Sequence, residues 1–166
     1  MKRNKKTGYI AYAGVIAAVY VVMTYVTNAL GLANGAIQCR FSEALCVLPA
    51  FTPAAVPGLF IGCFLSNIFT GAAAPDVVFG SLATLIGAVG TYFFAKKKMP
   101  ALTFPLPAII ANTVIIPFVL KFAYTGSDGT LWFFAATVGA GEIISCGILG
   151  MLLYYSLKKH SEVLFK

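Results

Sequence analysis

Few side chains in this 166-residue chain are equipped to do chemistry, and they are set far apart. Arg40 and Glu43 stand three apart in Gln38-Cys39-Arg40-Phe41-Ser42-Glu43. On a helix that spacing puts both on one face, within pairing reach. Glu142 lies well inside a long apolar segment with no basic neighbour on its own helix, and Asn112 sits in the middle of another. Asn67 and Asp76 bracket a short polar connection. An ionisable group in an apolar, membrane-like setting is costly, so each marks a candidate site. A carboxylate at position 142 needs Arg40, a cationic ligand, ligand N–H donors or a retained proton. Purely structural roles also fit some of these residues. Arg40–Glu43 could hold a short helix together, Asp76 after Pro75 could complement a helix N-terminus, and Asn67 could end a helix.

Several kinds of chemistry are missing. There is no glycine-rich phosphate loop and no Walker lysine, so the chain is not expected to hydrolyse ATP by itself. One histidine and four cysteines (Cys39, Cys46, Cys63, Cys146) lack paired ligand spacing, so no metal site and no cofactor are expected. No nucleophile–base set supports an enzyme.

The elements that must position the polar residues follow from composition. Hydrophobic residues make up 60% of the chain and charged ones 10%, against roughly 25% charged in a soluble domain. The net charge of +7 suggests a nucleic-acid binder, but its distribution does not. Nine of the 12 basic residues fall in clusters at Lys2–Lys6, Lys96–Lys98 and Lys158–Lys159, separated by apolar stretches. Several stretches approach or exceed the ~20 residues that cross a bilayer, and basic clusters at their ends match the positive-inside bias. The first stretch is too long for a signal-peptide core and is read as a retained span. If all three clusters are cytoplasmic, parity requires six passes. The expected fold is an all-α integral membrane bundle of six transmembrane helices in one membrane domain, spanning 9–32, 37–51, 53–70, 76–95, 101–123 and 131–157. Both termini are then cytoplasmic.

That topology puts Gln38, Arg40, Asn67 and Asp76 towards the outer side, so an outward-opening pocket is expected. Phe79 and Trp132 begin helices there and could line it, although Trp132 equally suits an interfacial belt. Small residues four apart, such as Ala13/Ala17, Gly14/Ala18, Gly58/Gly62 and Ala135/Gly139, let helices approach closely in lipid. They serve either packing within the bundle or docking of another membrane protein, and the two overlapping pairs of the first span suit docking best.

The run Gly35-Ala36-Ile37-Gln38-Cys39-Arg40-Phe41-Ser42-Glu43-Ala44-Leu45 resembles the signature of QueT-type membrane proteins. So do Leu48-Pro49, Pro57-Gly58-Leu59-Phe60-Ile61-Gly62-Cys63, the stretch from Asp76 to Leu85, and Gly141-Glu142. The resemblance covers nearly the whole chain. It implies a substrate-binding S component of an energy-coupling factor (ECF) transporter in the bacterial plasma membrane. Its partners would be a transmembrane T subunit, met by Ala13 and Ala17 first with Gly14 and Ala18, and two ATP-binding cassette ATPases. The implied substrate is a queuosine precursor, a 7-deazaguanine such as preQ0, preQ1 or queuine. Parallel N–H donors on a guanine-like edge suit a carboxylate. Chemistry then gives that role to Glu142, with Glu43 second, and the carbonyl oxygen to Arg40. Gln38 and Asn112 would read the remaining edges, Phe79 or Trp132 would stack, and Asp76 would meet an aminomethyl cation. Another vitamin or heterocycle, or a small intramembrane enzyme or sensor, are the alternatives.

Overall fold

The computed structural model describes residues 5–32, 39–124 and 129–161. Among them helix alternates with short connections and there is no strand. Helix α1 is Lys5–Ala29. A ten-residue 3-10 helix, Phe41–Ala50, follows. Then come α2 (Ala55–Phe69), α3 (Ala74–Lys96), a 3-10 turn at Ala101–Thr103, and α4 (Leu106–Ala123). The last rod is continuous: α5 (Leu131–Glu142), a π-helical stretch (Ile143–Leu149) and α6 (Gly150–Lys158).

Four segments are long and apolar enough to cross a bilayer: Lys6–Ala29, Ala74–Lys96, Ala101–Ala123 and Leu131–Lys158. Their outward faces carry large apolar side chains such as Ile10, Val22, Ile86, Ile110 and Leu152, all more than half exposed. An apolar surface of that extent is stable only against lipid or protein. The chain is a multi-pass membrane protein.

The other two helical segments are shorter than the sequence suggests. At ~2.0 Å per residue the 3-10 helix spans only about 20 Å, and α2, at ~1.5 Å per residue, covers about 22 Å. Ser42 through Pro49 are all buried. The segment is therefore an inner pillar, packed against α1, α3 and the last rod. Its burial explains why its polar residues have partners within the protein.

Two seams set the bundle's tightness. A Cβ on Gly58 would lie 2.8 Å from the Ala13 carbonyl oxygen, and one on Gly62 would lie 2.7 Å from Tyr20 Cβ and 3.1 Å from Ala17 Cα. Only glycine lets α2 lie that close to α1. Ala17 is buried in this seam, and the backbone of Ala13 faces it. That corrects the expectation that Ala13 and Ala17 lead the docking of a partner. Gly14 and Ala18 remain exposed. In the second seam, Gly87 admits Ala108 and Gly90 admits Pro107, which joins α3 to α4.

Side-chain contacts sort the two ends. Tyr9 Oη donates to the Pro53 carbonyl at 3.4 Å. Tyr154 stacks on Phe51 at 5.0 Å between ring centres and meets the edge of Phe104 at 5.3 Å. The starts of α1, α2 and α4 thus share one end with the end of α6. The α3 terminus at Lys96 joins them through the Gly90–Pro107 contact. Arg40, Asp76 and Tyr124 gather at the opposite end.

Gly62→Ala should destabilise the chain, because overpacking costs about 1–3 kcal/mol. Gly14→Ala, whose Cβ would meet nothing within 4 Å, should melt at or slightly above the wild-type temperature. Thermal unfolding in detergent checks both, and an unshifted Gly62→Ala melting point would show that the α1–α2 seam has slack.

Candidate functional site

The polar centre begins where the chain enters the 3-10 helix. Arg40 is extended (φ −106°, ψ 113°), just outside the first turn. Hydroxyl groups from two directions fix this entrance. Thr27 Oγ1 accepts from the Phe41 amide at 3.2 Å. Ser145 Oγ accepts from the Arg40 amide at 3.1 Å. Thr24 Oγ1 donates to Ser42 Oγ at 2.9 Å. Helix α1 and the π-helical stretch therefore hold both sides of the segment that carries Arg40 and Glu43.

Glu43 is buried, and its Oε1 accepts a short hydrogen bond from the buried Tyr20 hydroxyl of α1. Glu142, the last residue of α5, accepts from the Cys146 thiol at 3.1 Å. The same thiol is 3.3 Å from the backbone carbonyl of Glu43. Ligating atoms of Glu43, Glu142 and Cys146 lie within 4.8 Å of one another. They form a possible metal-ligand trio that the sequence spacing does not reveal. In the structure the thiol is engaged with its neighbours as a hydrogen-bond donor.

Arg40 does not pair with Glu43 as its spacing suggests. Its Nη2 is 3.9 Å from Asp76 Oδ2. That oxygen also accepts from the Tyr124 hydroxyl at 2.9 Å, and the Tyr124 oxygen accepts from the Ala73 amide at 3.3 Å. Asn67 Nδ2 donates to the Asp76 backbone carbonyl at 3.3 Å. Asp76 therefore links the approach to the 3-10 helix, the α2–α3 connection and the end of α4. Its Oδ1 is buried without a hydrogen-bond partner.

A small cavity sits below this link. It is lined by Arg40 and Glu43, Gly80 and Thr84 of α3, Asn112 and Ile116 of α4, and Val138 and Glu142 of α5. The three long helices each contribute two residues one turn apart, which places both on one face. The free space is about 20 Å³, enough for one water-sized occupant. Asn112 is 4% exposed, and its Nδ2 has no hydrogen-bond partner. An orphaned buried donor is costly, so it marks a place where something else should bond. The walls offer donors from Arg40 and Asn112 beside acceptors from Glu43 and Glu142. A planar ligand with alternating donors and acceptors on its rim suits such a set.

The structure brings together Arg40, Glu43, Asn112 and Glu142, with Asp76 behind Arg40. It does not bring in the two aromatic residues. Trp132 is 83% exposed, as its alternative belt role requires. Phe79 is about half exposed and lines a separate apolar groove with Pro75, Val114, Phe118 and Phe122. Both sit on outward helix faces, so stacking on a ligand in this cavity is not open to them. Gln38 lies outside the described residues. Tyr20, Thr24, Thr27, Gly80, Thr84 and Ser145 are additions from the structure. One signal was available for some of them: Tyr20, Thr24 and Thr27 form a polar stripe on one face of a charge-free helix, and Asp76, Gly80 and Thr84 recur every turn.

Comparison with known proteins bears on what this site serves. The family described as QueT transporter matches residues 10–159. The queuosine precursor transporter QueT of Lactococcus lactis subsp. cremoris (strain MG1363) is 34% identical over 99 residues. That match covers 59% of this chain and 57% of the relative, so the chain spans little more than half the length of the curated protein it matches. No solved structure matches. The family match takes in nearly all of the apolar helices and every described residue of the cavity, and on it the chain belongs to the QueT transporter family.

Proposed function

We propose that the chain is the substrate-capturing S subunit of an ECF-type importer in the bacterial plasma membrane, and that it takes up a queuosine precursor. The observation that carries this reading is the set of Arg40, Glu43, Asn112 and Glu142, buried or half-buried around one cavity. A 7-deazaguanine presents two adjacent N–H donors next to a carbonyl acceptor. Glu142 accepts the donor pair, a charge-assisted arrangement of the strong kind. Asn112 and Arg40 donate to the carbonyl. The name of the Lactococcus relative, a queuosine precursor transporter, supports the choice of ligand.

The cavity is far smaller than a bicyclic base, so capture requires it to widen. Arg40, Asp76 and Tyr124 hold together the chain segments around it at the end away from the Lys96–Lys98 and Lys158–Lys159 clusters. Parting them admits a ligand from outside. In this reading the end with those two clusters is cytoplasmic, the chain forms one six-pass membrane domain, and both termini are inside. Energy comes from a separate module, a T subunit with two ATPases. The exposed Gly14 and Ala18 of α1 are the small-residue pair left free to meet it.

Glu142→Gln should weaken 7-deazaguanine binding by about 10- to 100-fold, the worth of a charged hydrogen bond, as read by isothermal titration. Undiminished affinity would remove Glu142 from the ligand. Gly14→Leu should abolish copurification with the T subunit and ATPases while leaving ligand binding intact. Recovery of the wild-type chain always alone, with turnover of substrate, would contradict the transporter reading.

A further inference from the structure

This inference rests on the queuosine-precursor reading and concerns which precursor the site prefers. We propose that Glu43 is the specificity-determining residue, and that it selects precursors carrying an ammonium group at ring position 7 over the neutral nitrile.

The argument starts from charge. One guanidinium, Arg40, stands among three carboxyl groups, Asp76, Glu43 and Glu142. Its contact ion pair is with Asp76 at 3.9 Å. Glu43 and Glu142 have hydrogen bonds from neutral donors, the Tyr20 hydroxyl on Glu43 and the Cys146 thiol on Glu142, while Arg40 lines the same cavity without a contact ion pair to either. A thiol is a weak donor. Ligating atoms of the two carboxyl groups lie within 4.8 Å of each other. Two carboxylates held that close in an apolar interior repel each other, and a cation beside them relieves that repulsion as a retained proton would.

Asn112 supplies an independent sign of an occupant. Its amide is 4% exposed, lines the same cavity and has an unpartnered Nδ2. That donor asks for an acceptor on the ligand. The cavity wall thus offers two carboxyl groups and an N–H donor.

The rim of a 7-deazaguanine carries groups complementary to these. The 2-amino group and ring N1–H donate, the 6-carbonyl accepts, and the substituent at position 7 comes next, beside the carbonyl. With Glu142 on the N–H pair and Asn112 on the carbonyl, the position-7 group falls to Glu43. An aminomethyl ammonium donates to Glu43 and brings the missing positive charge. A nitrile presents an acceptor to a carboxylate and brings none.

The test compares preQ1, which carries the aminomethyl group, with preQ0, which carries the nitrile. Each is titrated calorimetrically into the full chain in lipid nanodiscs at neutral pH. The expected result is binding of preQ1 tighter by about 10-fold or more, the scale of one charge-assisted hydrogen bond. Glu43→Gln, whose amide oxygen can still accept from Tyr20, should weaken preQ1 more than preQ0 and so reduce the preference. Equal affinities, or tighter preQ0, in the wild-type chain would overturn the proposal without any variant and leave the queuosine-precursor reading standing. An undiminished preference in folded Glu43→Gln would overturn the role of Glu43. Binding of neither compound would overturn the parent reading, and this inference with it.

Discussion

A single guanidinium governs the polar interior of this protein. Charges buried among apolar helices must be compensated nearby, since the attraction that repays their desolvation works only at short range and good geometry. Arg40 meets that need for Asp76 and leaves Glu43 and Glu142 on the cavity side with hydroxyl and thiol partners. Much of the local architecture serves to hold Arg40 in place. Its amide is fixed by Ser145, the next amide by Thr27, and its ion-pair partner by Tyr124. The backbone carbonyl of Asp76 is held in turn by Asn67.

Helix packing gives this polar set its fixed frame. Glycines at 58, 62, 87 and 90 let α2 close on α1 and α4 close on α3. The short 3-10 pillar then fits between α1 and the last rod, carrying Glu43 to the centre. The π-helical stretch follows Glu142 directly and contains Ser145 and Cys146. A π-helical turn shifts the register of the residues after it, and such turns are frequent at functional sites. Here the shifted stretch is where the last rod bonds to both Arg40 and the Glu43 backbone.

The sequence made the helices legible because lipid imposes a length and a polarity on each of them. Spacing of the lysines separated the ends, and scarcity of other charges singled out Arg40, Glu43, Asp76 and Glu142. The rest depended on which way each helix turns its faces. Ala13/Ala17 and Gly14/Ala18 are equivalent as patterns, yet one pair lies in the α1–α2 seam and the other is exposed. Phe79 and Trp132 sit near the expected pocket along the chain, but their helix faces point outward. Local spacing favoured Arg40–Glu43, whereas tertiary packing gave Arg40 to Asp76, 36 positions away. The second apolar segment was legible as a helix, but not as one shielded from lipid by its neighbours. Burial on all sides makes an apolar pillar and a lipid-facing helix read alike.

On the proposed function, occupancy of the site is coupled to its shape. With about 20 Å³ of free space, no purine-sized ligand enters without separation of the elements that Arg40, Asp76 and Tyr124 join. The most direct measurement is a structure of the full chain with preQ1 bound. The base should lie between Arg40, Asn112, Glu43 and Glu142, in a cavity widened at the Arg40–Asp76–Tyr124 end. A base seated instead in the apolar groove beside Phe79, with the polar cavity still closed, would contradict this account.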